Sequence, residues 1–266
     1  MTLLLILVGT LLAGIGSVWL AAWLSFGVLS RYTQHMLSLA AGALLATGFL
    51  KLLPEAFESG IEPHALFITL LIGLVFFFLL DKAELWHHGH EHHNGHGEGH
   101  GHAHSHGHHH HHEATPGSWA VLTGDSLHCF GDGILIASAF MADAQLGAIA
   151  ALAVLAHEVP HHMGDLVVLR QSQRSRHAAL IKVSLAGAVT ALGGLLGYWV
   201  VDWLHDQLPF FLVVASSSFI YVALADLIPQ LQKRLSTRET LAQVFWLGFG
   251  IATVLAVAAL TGGHTH

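Results

Sequence analysis

Apolar residues along this chain fall in blocks of about 20, separated by short polar breaks, a length that lets a helix cross the hydrocarbon core of a bilayer. The blocks lie at roughly 2–29, 34–57, 64–86, 116–142, 145–170, 178–203, 208–231 and 239–261. A helix satisfies its own backbone hydrogen bonds, as lipid demands. The pattern therefore predicts an all-α integral membrane protein with eight transmembrane helices. The first block has no basic segment before it and is longer than the apolar stretch of a signal peptide, so it is predicted to be retained as a span.

The connections are short except for one of about 30 residues between the third and fourth blocks. This divides the chain into 1–86 (helices 1–3), 87–115 (a connecting loop) and 116–266 (helices 4–8), with the first and last forming one membrane domain. Of the 266 residues, 53% are hydrophobic and 10% charged, far below the charge of a soluble domain. A net charge of -7 argues against nucleic acid as a partner. Cys129 is the only cysteine, so no internal disulfide can form.

Charge also sets the expected orientation. Arg31, Lys82, Arg170, Arg174, Arg176, Lys182, Lys233, Arg234 and Arg238 all fall at one side if there are eight spans, and only Lys51 falls elsewhere. Basic residues mark the cytoplasmic side. Both termini are then expected outside and the long loop inside, in a multi-pass protein of the plasma membrane, or of the inner membrane in a Gram-negative bacterium.

Ionisable residues interrupt the apolar pattern in spans four and five. In "DSLHCFGDG", His128 and Asp132 are four apart and share a helix face, with Asp125 three residues before His128 and Cys129 beside it. In "HEVPHHMGD", His157 and His161 share a face, and Glu158, His162 and Asp165 form the neighbouring stripe. A charge at the bilayer centre costs about 2.5–3.5 kcal/mol on insertion scales, so these groups need water, a partner or an ion. A bound divalent cation would offset that cost and keep the carboxylates ionised. Pro160 removes a backbone bond to Ala156 and is expected to kink span five. His128, Cys129, Asp132, His157, Glu158, His161 and His162 are the expected metal ligands. Asp125, Asp165 and Glu55 are expected to orient those ligands or to line the ion's route.

The loop adds a second metal signal. Residues 87–112 hold 15 of the 25 histidines, among glycines and little else. Such a segment cannot fold on its own, but its imidazoles, among them His87, His88, His90, His92, His93, His108, His109 and His110, suit a multivalent cytoplasmic buffer for transition metals. Three readings compete. H-E-x-x-H at 157–161 fits a zinc metalloprotease, but proline inside it disturbs the register, and many donors would have no role. A cation-diffusion exporter also pairs H-x-x-x-D with a His-rich loop, but has six spans. A carrier that passes ions on uses all the donors, since conduction needs binding that is shared and releasable.

"HCFGDG" and "HEVPHHMGD" resemble the paired signatures of the ZIP (Zrt/Irt-like) divalent-metal transporters, in the branch with a His-rich loop between helices 3 and 4. That branch reads H-N-F-x-D-G and H-E-x-P-H-E-x-G-D. "LLPEAFE" (52–58) is similar to the family's second helix and "FIYVALADLIPQL" (219–231) to its seventh. The resemblance implies a non-enzymatic metal importer with helices 1–3 and 6–8 as inverted repeats around a helix 4/5 metal site. His128, Asp132, His157, Glu158 and His161 match the family's ligands, and two adjacent metal positions share bridging carboxylates there. Cys129 replaces the usual Asn and His162 the usual Glu. Both are softer donors, which favours zinc or another late transition metal, and the second position loses a carboxylate.

Zinc is expected as the bound substrate, with iron, cobalt, nickel, copper or cadmium as lesser cargo and no organic cofactor. The resemblance suggests an elevator-like motion, and no ATP-binding motif is present, so the metal's own gradient or a coupled ion would drive it. The expected partners are divalent metal ions and the lipid bilayer, with a homodimer left open.

Overall fold

The computed structural model describes residues 1–25, 33–89, 118–172, 176–232 and 236–261. Most of the loop, including His90, His92, His93, His108, His109 and His110, lies outside the described residues, as do Arg31, Arg174, Lys233 and Arg234.

Among the described residues there are eight helical runs and no strand. Helix α1 comprises Thr2–Leu11, a π-turn at Leu12–Gly16, and Ser17–Ser25. Helix α2 comprises Thr33–Thr47, a π-turn at Gly48–Leu52, and Leu53–Glu58. Helix α3 is Pro63–Gly89, α4 Ser118–Ala142, α5 Ala144–Ser172 and α6 Arg176–Trp203. Helix α7 comprises Leu208–Tyr221, a π-turn at Val222–Leu227, and Ile228–Leu231, and α8 is Thr237–Thr261. Six of these, all except α4 and α5, are long and apolar enough to cross a membrane. The two that fall short carry the ionisable stripes of 125–132 and 157–165.

The breaks follow local chemistry. Gly60 takes φ +79 between α2 and α3, a left-handed conformation that costs glycine nothing. Asp143 alone separates α4 from α5, and its Oδ1 accepts from the backbone N–H groups of Gln145 (2.7 Å) and Leu146 (3.0 Å), capping α5. Helix α5 runs on through Pro160. A π-turn of α2 meets α7 where Ser216 Oγ donates to Gly48 O at 2.9 Å.

Helices α1, α4, α5 and α6 pack on one another, as do α2, α3, α7 and α8, while α5 lies against α2 and α4 against α7. Close approach of α4 and α6 depends on glycine. A Cβ on Gly133 would overlap Thr190 O, and one on Gly193 would overlap Phe130 O. The largest apolar core joins Leu135, Ile136 and Phe140 of α4 and Ala150 and Val154 of α5 to Leu44 of α2 and Phe219 of α7. Outward surfaces are apolar instead of charged: Trp19, Trp23, Leu71, Phe245 and Trp199 are all exposed, as lipid-facing side chains are.

Candidate metal centre

Helical spacing brings the polar residues of α4 and α5 to a common level, and glycine-mediated packing of α4 on α6 fixes how α4 presents them. Two groups of four donors result. One is His128, Asp132, His157 and Glu158, and the other is Asp125, Cys129, Glu158 and His162. Glu158 belongs to both, with Oε1 turned to the first and Oε2 to the second.

In the first group, His157 Nε2 lies 3.1 Å from Asp132 Oδ2 and 3.4 Å from Glu158 Oε1. His128 Nε2 lies 3.2 Å from His157 Nε2, 3.3 Å from Glu158 Oε1 and 3.9 Å from Asp132 Oδ2. In the second, His162 Nε2 lies 3.1 Å from Glu158 Oε2 and 3.5 Å from Asp125 Oδ1. Cys129 Sγ lies 3.8 Å from both of those oxygens and 4.0 Å from His162 Nε2.

Most of the nitrogen–oxygen separations are close to those around a shared cation, while His128–Asp132 at 3.9 Å and the Cys129 separations of 3.8–4.0 Å are a few tenths of an ångström longer. Four N or O ligands at zinc's bond length of about 2.0–2.1 Å stand about 3.3 Å from one another in a tetrahedron, and a thiolate at about 2.3 Å stands about 3.5 Å from its neighbours. Direction adds to distance. Asp132 Oδ2, Glu158 Oε1 and Asp125 Oδ2 are buried and have no hydrogen-bond partner among the described residues, although imidazole nitrogens lie close to the first two. Buried carboxylate oxygens left this way are costly unless a positive charge sits between them. The donor set of imidazole, carboxylate and thiol is that of a transition metal, not of magnesium or calcium.

The imidazoles are oriented from behind. A carbonyl can only accept, so His157 Nδ1–H donates to Ala153 O at 3.3 Å and leaves the Nε2 lone pair facing the first group.

The structure divides the residues singled out in the sequence. His128, Asp132, His157 and Glu158 come together, as do Cys129, Glu158 and His162. Asp125, expected only to orient a ligand or line the route, sits within the second group, which thereby regains a carboxylate. His161 is in neither. Its ring stacks over His128 with centroids 5.4 Å apart, but its Nε2 meets Asp226 Oδ2 at 2.8 Å. Asp165 lines the cavity beside the groups. Glu55 is exposed near the α2–α3 turn and lines no part of that cavity. His87 and His88 fall within the last turns of α3.

Sequence reasoning missed Asp226, in the π-turn of α7, and Ser17, in α1. Asp226 carried a signal, being one carboxylate inside an apolar block, and Ser17 carried none. A cavity of about 620 Å³ opens beside the groups, with Asp125, His128, Asp132, His161, Asp165 and Asp226 on its wall. Further out on that wall, Tyr221 donates to Asp81 at 3.1 Å.

The bundle of apolar helices thus encloses a buried, two-part cradle of nitrogen, oxygen and sulfur donors, the donor chemistry of a transition-metal site. A profile of the family described as "ZIP Zinc transporter" matches residues 83–258, and the chain belongs to that family. Zinc transporter ZIP10 of Danio rerio is 34% identical over 149 residues, which are 53% of this chain and 18% of that protein. Zinc transporter ZIP4 of Homo sapiens is 34% identical over 147 residues, 55% of this chain and 21% of its own length. Zinc transporter ZIP13 of Pongo abelii is 26% identical over 275 residues, 94% of this chain and 76% of that protein. The chain thus spans about a fifth of the first two relatives' length and three quarters of the third's. These relatives are named as transporters, not enzymes, and the chain is a multi-pass membrane protein.

Proposed function

We propose that this chain carries zinc into the cytoplasm through the paired donor groups of α4 and α5. The observation that carries the reading is the sharing of Glu158 between two four-donor groups, the donor atoms of each lying within 4.8 Å of one another. Two adjacent positions joined by one carboxylate let a cation be held by either while charge is redistributed through Glu158. Each position is then strong enough to dehydrate the ion and weak enough to release it. The named activity of the relatives supports zinc as first cargo.

Packing supports alternating access. The cavity reaches the cradle from the end of the bundle that carries Asp81 and Asp226. Towards the other end, the apolar core of α4 and α5 against α2 and α7 closes the approach. With the basic residues inside, this is an inward-facing state. A shift of α1, α4, α5 and α6 against α2, α3, α7 and α8 would open the opposite end, and the interface between the two groups at α5–α2 and α4–α7 is where sliding must occur. His161 and Asp226 form the next station on the wall, one on each side of that interface. The histidines of 87–112 receive the released ion.

Uptake of radiolabelled zinc into proteoliposomes tests this. Glu158→Gln is expected to cut the initial rate at least ~10-fold because it takes charge from both positions at once. Deletion of 87–112 is expected to leave most of the rate. Undiminished uptake by Glu158→Gln would remove the paired groups from the path.

A further inference from the structure

Ser17 lies fully buried in α1, one residue beyond the π-turn Leu12–Gly16. Its hydroxyl is 2.5 Å from Gly14 O and 2.9 Å from His162 Nδ1, a residue 145 positions along the chain. A serine hydroxyl has one proton. The carbonyl of Gly14 can only accept, so that proton goes to Gly14 O. Ser17 Oγ must then accept from His162, which places the imidazole's hydrogen on Nδ1. The Nε2 lone pair is left facing Glu158 Oε2, Asp125 Oδ1 and Cys129 Sγ.

The backbone holds this relay in place. A Cβ on Gly14 would overlap Gly187 O, and one on Gly187 would reach Gly14 O at 2.8 Å, so α1 and α6 meet backbone to backbone at the carbonyl that takes the Ser17 proton. A shift of α1 along α6 would move the hydroxyl away from His162.

We propose that Ser17 is a positioning residue for the second cation position: it fixes the tautomer and ring plane of His162, so that α1 sets the affinity of the Asp125, Cys129, Glu158 and His162 group for a thiophilic divalent cation. The inference rests on the two-position reading above. It goes beyond that reading by making one of the positions depend on a helix that supplies no ligand.

Cobalt(II) is the probe. Cys129 is the only cysteine, so a thiolate-to-cobalt charge-transfer band reports the second position alone, whatever the loop histidines bind. Full-length protein in detergent is titrated with buffered cobalt. Wild type is expected to show the band. Ser17→Ala is expected to raise its half-saturation by about 10–100-fold, the usual effect of losing a ligand's hydrogen-bond partner, and Ser17→Thr to restore it. In a His162→Ala background, Ser17→Ala should change nothing further. An equal loss in that background would assign Ser17 to general packing and overturn the proposal. An unshifted band in Ser17→Ala would overturn it while leaving the two positions intact, whereas no band in wild type would overturn both.

Discussion

Residues 157 to 162 place three imidazoles on less than two turns of α5, and their ring nitrogens go to three different places. His157 Nε2 joins the first donor group, His162 Nε2 the second, and His161 Nε2 reaches across to Asp226. The i, i+4 rule put His157 and His161 on one face, and their rings do lie 6.0 Å apart. What the rule cannot give is the partner, because Asp226 comes from α7 and its reach depends on how two helices pack. The same limit hid Ser17, a residue that reads in the sequence as one more small side chain in an apolar block. Asp226→Asn tests the division of labour. It removes the charge facing His161 while touching neither donor group. It is expected to slow zinc uptake several-fold with the number of cations bound at equilibrium unchanged, as measured by elemental analysis of the purified protein. A lower stoichiometry would place His161 and Asp226 among the holding ligands.

At the scale of the element, α4 and α5 are apolar helices interrupted by polar stripes, which persist because Asp132, His157, Glu158 and His162 are buried inside the bundle. The sequence made their existence, ends and polar stripes legible, since apolar length and four-residue spacing are local properties. The π-turns in α1, α2 and α7 were not legible, because a single inserted residue leaves hydrophobic length unaltered. Each of those turns adjoins something functional or structural: Ser17 after the first, the Ser216 bond at the second, Asp226 within the third. Nor did the glycines of α4 and α6 announce their pairing. Gly193 shows its importance only when Phe130 O is seen against it. Gly193→Ala forces α4 away from α6, and overpacking of this kind destabilises by about 1–3 kcal/mol. The expected result is a lower thermal midpoint in detergent together with weaker cobalt binding at both donor groups. A stable variant with wild-type binding would show that the contact is not what seats α4.

For the whole molecule, the asymmetry between a cavity at one end and a packed apolar core at the other corresponds, on the proposed function, to one state of a transport cycle. Ser218 of α7 lies on the cavity wall and is nearly buried, so a cysteine there adds little volume and reports solvent access. In a Cys129→Ala background, Ser218→Cys is expected to react with a membrane-impermeant thiol reagent in inside-out vesicles and far more slowly in right-side-out vesicles. The orientation drawn from Lys82, Lys182 and Arg238 requires that polarity, because α3 ends, and α6 and α8 begin, at the cavity's open end. Labelling only from the opposite face would invert the orientation, and with it the proposed direction of transport, with the donor groups unaltered. Strong labelling from both faces would mean that the core around Leu44, Phe140 and Phe219 opens readily, and that the state with the cavity at one end is not the resting one.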